Sequence, residues 1–306
     1  MTTAAVITSY DPGDDLLDTC RAVASQVDSV IVVDDGSRRD VSALLDTCRS
    51  EGWTVLEQGA NTGIAAALNR GVDEALASGA DAVLTLDQDT VLEPGYVQRM
   101  HAHLGLARSL GIDAALLGPS SINGGIAPFW YATEGLTMAF EPIQSGLLIP
   151  REVFDRIGGF EEGLFIDCVD TEFYLRARAA GIPSLVTPGA RISHQFGRST
   201  RWIPPRLLRR LAGPLRNGFD FIEDALFRHY YIARNRTIMY RRYWRTEPLW
   251  CAVSLVKDGL ARGRAIAIGS RRLVRLRLTV AGFRAGLRDE SGRIPDRLAR
   301  LAAGRS

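Results

Sequence analysis

Two aspartates stand one residue apart at the end of an apolar run, Asp87 and Asp89 in LTLDQDT (84–90). Carboxylates this close disfavour each other's ionisation unless a cation neutralises them. An oxygen-only donor pair favours Mg2+ or Mn2+, placed to bridge substrate phosphates. A solvated acidic turn is the plain alternative. A second acidic strand end is VVDDGS (32–37), with Asp34, Asp35 and Gly36. Carboxylates there accept hydrogen bonds from a base or ribose, and Gly36 lets the backbone turn tightly. The alternative is an Asp-capped turn. A third cluster, Asp167, Asp170 and Glu172, opens LFIDCVDTEFYLRARAAG (164–181). Clustered carboxylates raise one another's pKa, which suits a general base. Acids at a helix N-terminus are also ordinary capping. His194 follows an apolar run and precedes Gln195, Phe196 and Gly197; such a histidine is either a ligand or a structural hydrogen bonder. His101 and His103 are two apart on a predicted helix, so they point in different directions and read as surface residues.

These residues need elements to hold them. AAVITS (4–9) reads as a strand ending in the turn signal YDPGDD, and SVIVVDDGS (29–37) as a second strand. WTVLEQ (53–58) is a third strand and DAVLTLDQD (81–89) a fourth. Helical spacing covers 14–27, 41–50 and 61–79, with Asn61 the expected cap and Gly79 the stop. This alternation predicts βαβ units and a parallel sheet, where ligands sit beyond the carboxyl ends of the strands. Three polar clusters fall on that rim: Thr8–Asp11, Asp34–Ser37 and Asp87–Asp89. Together they point to a nucleotide-type site. Residues 111–165 are less regular, with strands at AALLGPS and SGLLIP and a loop or hairpin at GGIAPFWYATEG. PSLVTPGARISH (183–194) reads as a strand pair.

Composition bounds the answer. The chain has 306 residues, 46% hydrophobic and 24% charged, which excludes collagen-like, low-complexity and disordered classes. Its four cysteines form no CxxC pair, so a reducing compartment is expected. The start carries no signal-peptide pattern, and no apolar run reaches membrane-spanning length. The net charge of +2 hides an asymmetry. Residues 1–200 hold 13 Arg and no Lys against 27 Asp and Glu; residues 201–306 hold 24 Lys and Arg against 8 acids. The expected division is therefore an acidic nucleotide-binding domain, 1–200, and a basic helical region, 201–306. In RRLVRLRLTVAGFRAGL (271–287), Leu273, Leu276, Thr279/Val280 and Phe283 recur at three- and four-residue steps, with Arg272, Arg275 and Arg277 mostly off the stripe. A basic amphipathic helix of this kind suits an anionic membrane surface. An oligomerisation tail or a solvated basic face would share the pattern. No nucleic-acid-binding motif accompanies the charge.

AVITSY, VIVVDDGS, NTGIAAALNRG, LTLDQDT, GFEEGLFIDCVDTEFYLRARAAG and PGARISH occur in the order of the family 2 inverting glycosyltransferases. FIDCVDTE and the later RHYYIARNRTIMYRRY (228–243) resemble the dTDP-rhamnosyl:glycan rhamnosyltransferase branch. The resemblance covers roughly residues 4–245. It implies a GT-A nucleotide-diphospho-sugar transferase domain, and a bacterial cell-envelope hexosyltransferase moving L-rhamnose from dTDP-L-rhamnose to a glycan or polyprenyl-linked acceptor. It would give Thr8, Asp35, Asn61, Gly63 and Asp87 to the nucleotide. Asp89 and His194 would hold Mg or Mn. Asp170 would be the catalytic base, with Asp167 and Glu172 as further acids, and Ser145 and Gly146 would meet the sugar. The family's leading Glu before this base is replaced by Val169. A UDP-hexose or UDP-galactofuranose donor, a nucleotidyltransferase and a non-catalytic sugar-nucleotide binder are the competing readings. The expected location is the cytoplasmic face of the plasma membrane, with a homo-oligomer through the C-terminal helices as an alternative use of that region.

Overall fold

The structure, a computed structural model, describes residues 1–194, 199–203 and 217–304. Residues Gln195, Phe196 and Gly197 lie outside the described residues. The chain divides into two compact units, Met1–Gln195 and Phe196–Ser306.

The first unit begins β1 (Thr3–Ser9), α1 (Asp15–Ala24), β2 (Ser29–Asp34), α2 (Ser42–Ser50), β3 (Thr54–Glu57), α3 (Ile64–Ala77) and β4 (Ala82–Asp87). There follow β5 (Thr90–Leu92), α4 (Tyr96–Ser109), β6 (Leu116–Ile122), β7 (Gly125–Ile126), β8 (Phe129–Thr133), β9 (Leu136–Ala139) and β10 (Leu147–Pro150). It closes with α5 (Arg151–Ile157), α6 (Val169–Ala179) and β11 (Ser184–His194). The sheet runs β3-β2-β1-β4-β10-β6-β11-β9-β8. Its first four strands are parallel. β10 then inserts antiparallel between β4 and β6, while β11 runs parallel to β6.

The unbroken apolar runs of β1 and β2 follow from burial on both faces. Ala4, Val6, Ile31 and Val33 pack with Leu68 and Val72 of α3 and Phe173 of α6. Ala5, Ile7, Val30 and Val32 pack on the other face with Leu16 and Cys20 of α1 and Leu104 of α4. With both faces covered, only strand ends and their loops are left to carry polar chemistry.

Three local expectations change. Asn61 does not cap α3: Gly63 occupies that position at φ +99°, which a glycine tolerates and other residues resist. Residues 184–194 form one strand with a register shift between Thr187 and Arg191, not a strand pair. Neither α4 histidine is a free surface residue. His103 is buried, which holds its pKa below the usual histidine value, and His101 Nε2 lies 2.8 Å from Thr3 Oγ1.

The second unit pairs β12 (Ser199–Trp202) antiparallel with β13 (Phe219–Ile222), then continues in α7 (Arg228–Tyr243), α8 (Pro248–Ile268), α9 (Arg272–Leu287) and α10 (Asp296–Ala303). α9 approaches α7 closely because Gly282 and Gly286 carry no Cβ. One added there would sit 2.2 Å from the Tyr230 carbonyl and 2.5 Å from that of Arg234. Arg275 lies off the apolar stripe, as its spacing predicts, on the inward face of α9. It is buried, donating to the Ser270 and Asp224 carbonyls and pairing with Glu223 at 2.8 Å. Among the described residues no helix is long and apolar enough to cross a membrane.

Candidate active site

β4 ends at Asp87, the chain turns through Gln88 and Asp89, and β5 comes back antiparallel to β11. That pairing sets Thr90 opposite His194, 104 residues away in sequence. One ligand atom each from Asp87, Asp89 and His194 therefore lie within 4.8 Å of one another. His194 Nδ1 is 3.2 Å from Asp89 Oδ1 and 2.9 Å from Thr90 Oγ1, and Nε2 is 3.9 Å from Asp87 Oδ2. Beneath the turn, the Asp87 amide donates to Ser145 Oγ at 2.9 Å, and Ser145 Oγ is 2.7 Å from Thr90 Oγ1. Gln88 ties the turn to its neighbours: its Oε1 accepts the Tyr10 amide at 2.8 Å, and its carbonyl accepts the Thr19 hydroxyl at 2.9 Å. Two carboxylates and an imidazole converging in this way fit a divalent cation, which would relieve the repulsion between the acids.

The triad borders a cavity of about 290 Å3 at the carboxyl ends of β1, β2 and β4. Thr8, Asp35, Asn61 and Gly63 line it together with Asp87, Asp89 and His194. Asp35 is itself buried. It accepts the Thr62 amide at 2.7 Å, the Gly63 amide at 2.9 Å and Gln58 Nε2 at 3.1 Å. Burial raises its pKa, the Thr62 and Gly63 donors oppose that, and the neighbouring Asp34 adds to the rise. Asp35 thus holds the 62–63 turn that presents Asn61 and Gly63 to the cavity. A Cβ on Gly63 would meet the Phe165 carbonyl at 2.5 Å, so this glycine also lets the 162–168 loop close over the rim.

Phe165 and Ile166 of that loop line the cavity. Phe165, Asp167 and Cys168 all have φ between 62° and 65°, a left-handed conformation that non-glycine residues rarely adopt. Such backbone tends to gather at functional sites. Asp170 follows in the first turn of α6, half-buried, with its Oδ1 accepting the Thr171 amide at 2.8 Å. Asp167, Asp170 and Glu172 do not line the cavity. Glu172 is buried against Arg176 at 2.9 Å, and Arg176 donates in turn to the Ile157 and Gly159 carbonyls. Its position makes it a brace between α5 and α6. Ser145 and Gly146 also lie under the metal-type turn rather than on the cavity wall: Ser145 is buried, and the Gly146 carbonyl accepts the Tyr96 hydroxyl. The parts played by Gln88, Thr90 and Phe165 are not legible in the local sequence. Gln88 and Thr90 adjoin the two aspartates, but their roles emerge only from strand pairing.

A parallel βαβ half, an antiparallel continuation and an acidic turn at their junction define a GT-A-type glycosyltransferase domain. The Glycosyl transferase family 2 model matches residues 4–160, and the chain belongs to that family. Over 155 residues it is 26% identical to the dTDP-rhamnosyl transferase RfbF of Shigella flexneri, covering 45% of this chain and 51% of the relative. The match thus spans about half the length of that protein. A crystal structure of S. aureus TarS (1-349) shares the fold with a TM-score of 0.52 at 14% identity, covering 98% of this chain and 83% of that one. GalNAc-T7, crystallised with UDP, GalNAc and Mn2+, aligns with a TM-score of 0.51 at 16% identity, over 63% of this chain and 43% of its own.

Proposed function

We propose that this glycosyltransferase moves L-rhamnose from dTDP-L-rhamnose, with inversion, to a hydroxyl of a cell-envelope glycan or lipid-linked acceptor. The observation that carries the nucleotide-sugar reading is the shared cavity. Thr8, Asp35, Asn61 and Gly63 line it together with Asp87, Asp89 and His194, and in this reading the first four would meet the nucleotide and the last three the diphosphate. The likeness to a dTDP-rhamnosyl transferase supports the donor. Mn2+ in GalNAc-T7 supports a divalent ion at the triad.

In this reading Asn61 and Gly63 orient the nucleotide, and Asp35 keeps their turn in place. Asp87, Asp89 and His194 would hold Mg2+ or Mn2+, which supplies positive charge against the departing diphosphate. Asp170 takes the proton from the acceptor hydroxyl. That oxygen attacks the anomeric carbon from the face opposite the nucleotide, the bond to the diphosphate breaks, and a β-linked donor becomes an α-linked product. Phe165 and Ile166 exclude water from the bond being broken.

A donor comparison tests it. Purified protein is titrated calorimetrically with dTDP-L-rhamnose, UDP-galactose and UDP-galactofuranose, and nucleoside diphosphate release is followed with an envelope-derived acceptor pool. Preference for dTDP-rhamnose is expected. Preference for either UDP-sugar reassigns the donor, and release of inorganic pyrophosphate instead would point to nucleotidyl transfer.

A further inference from the structure

α9 is built with five of its large apolar side chains on the outside. The face toward its own unit is made of Leu278, the small residues Gly282, Ala285 and Gly286, and the internally paired Arg275, all buried. Leu273, Leu276, Val280, Phe283 and Leu287 are instead exposed, Leu273 at 71% and Phe283 at 51%. At 3.6 residues per turn these five fall within an arc of about 80°, nearly opposite the buried face. Arg272 borders one edge of the arc, and Arg277 and Arg284 border the other; all three are exposed. α8 repeats the arrangement, burying Trp250 and Ser254 while Leu249, Val253, Val256 and Leu260 are exposed in a single stripe. Apolar side chains exposed in one continuous stripe mark a docking face.

The charges select the occupant. Residues 271–288 contain six arginines and no acid. A second copy docked on the same face would bring arginine rows together with no carboxylate on either helix. An apolar stripe flanked on both sides by arginines matches an interface with hydrocarbon below and anionic headgroups at its edges. We infer that α9, assisted by α8, lies on an anionic lipid surface, with Leu276 and Phe283 in the acyl boundary and Arg272, Arg277 and Arg284 at phosphate level. No helix needs to span the bilayer for this. The inference stands apart from the donor assignment, since it uses no residue of the cavity.

Co-sedimentation of the full chain with vesicles decides it. Binding to phosphatidylglycerol-rich vesicles at low salt is expected, at least about tenfold weaker on pure phosphatidylcholine. Binding should be lost at about 1 M NaCl, where the screening length is only about 3 Å. Each arginine at the surface contributes about fivefold, so Arg277→Gln with Arg284→Gln should weaken binding about 25-fold. Leu276→Glu with Phe283→Glu should abolish it while leaving thermal melting unchanged. The arginine variant decides the matter if the glutamate variant does not fold. Wild-type protein that stays in the supernatant overturns the inference. So does a wild-type dimer in sedimentation velocity that Phe283→Glu dissolves, which would give this face to a second copy. Binding unaltered in both variants would overturn it as well.

Discussion

In Met1–Gln195 the acids that matter sit at the mouth of a cavity, whereas in Phe196–Ser306 the telling charges are inside. Asp87 and Asp89 face each other across His194 at the ends of β4 and β11, where a cation would complete them. Arg234 and Arg275 of the second unit are fully buried and already answered. Arg234 donates to Asn235 Oδ1 and the Gly292 carbonyl, and Arg275 to Glu223 and two carbonyls. Arg236 and Arg262 pair with Asp258 and Asp224 at 3.0 Å each. Part of the basic excess is therefore internal architecture, whereas Arg272, Arg277 and Arg284 of α9 are exposed. The contrast teaches how to read charge asymmetry. A carboxylate and imidazole cluster at the mouth of a cavity points to a ligand, while a buried cation paired within its own unit points to the fold.

The comparison predicts that mutations in the first unit remove chemistry and those in the second remove stability. The largest effect is expected from Asp170→Asn, which should lower turnover by about 10²–10⁴-fold, the usual loss on removing a general base, with donor binding changed no more than a few-fold. Stopped turnover assays with calorimetry check it, and near-full activity would move the base elsewhere, with Asp167→Asn as the next variant.

Arg275→Ala should do the reverse. It leaves Glu223 with the Ser270 amide and the Thr200 hydroxyl but no cation, and breaking a fully buried pair costs about 3–5 kcal/mol, the upper bound here. Urea denaturation should show that loss, with donor affinity at the first unit unchanged. A concurrent fall in donor binding would erase the distinction between the units.

pH sharpens the contrast further. His229 Nε2 accepts from Arg275, which requires a neutral ring, and burial with the charges of Arg262 and Arg275 lowers its pKa to about 4. Asp224 and Glu223 face it too and oppose the drop. The unfolded ring takes its proton near 6.5, the folded one near 4. Its contribution is thus complete above 6.5 and disappears as pH falls toward 4, by at most about 3 kcal/mol. A melting series from pH 7 to 4 checks this, and His229→Gln should flatten that part of the curve.

The smallest effect is expected from Thr90→Val, which keeps shape but removes the hydroxyl linking Ser145 to His194. Losing such outer support weakens metal binding about 10- to 100-fold. Mn2+ titration followed by paramagnetic resonance reads it directly, and an unchanged affinity would show that the Thr90 hydroxyl does not set the His194 ring.

Local residue patterns determined a good deal. The runs at 30–33 and 82–86 read as buried strands because nearly every position in them is apolar, leaving neither face for water. The polar residues after them had to collect on one rim, since βαβ connections send every parallel strand the same way. Thr8, Asp35, Asn61, Gly63, Asp87, Asp89 and His194, each legible in a motif or through the family resemblance, line the same cavity. What the motifs did not settle was which like residue does what. Asp170 and Glu172 are two apart on α6, yet helical rotation leaves one half-buried and turns the other into the core against Arg176. Asp35 read as a nucleotide contact, but its carboxylate oxygens also hold a neighbouring turn.

The same limit governs α9. Its three- and four-residue spacing made an amphipathic stripe legible, because periodicity is a property of one helix. Which side faces outward depends on a second helix. Two glycines fit against the α7 backbone where leucines would collide, so Gly282 and Gly286 go inward and Leu276 and Phe283 stay out. His194 reaches Asp89 for a like reason: the antiparallel pairing of β5 with β11 is a long-range register, set by packing across the sheet and encoded in no local run of residues.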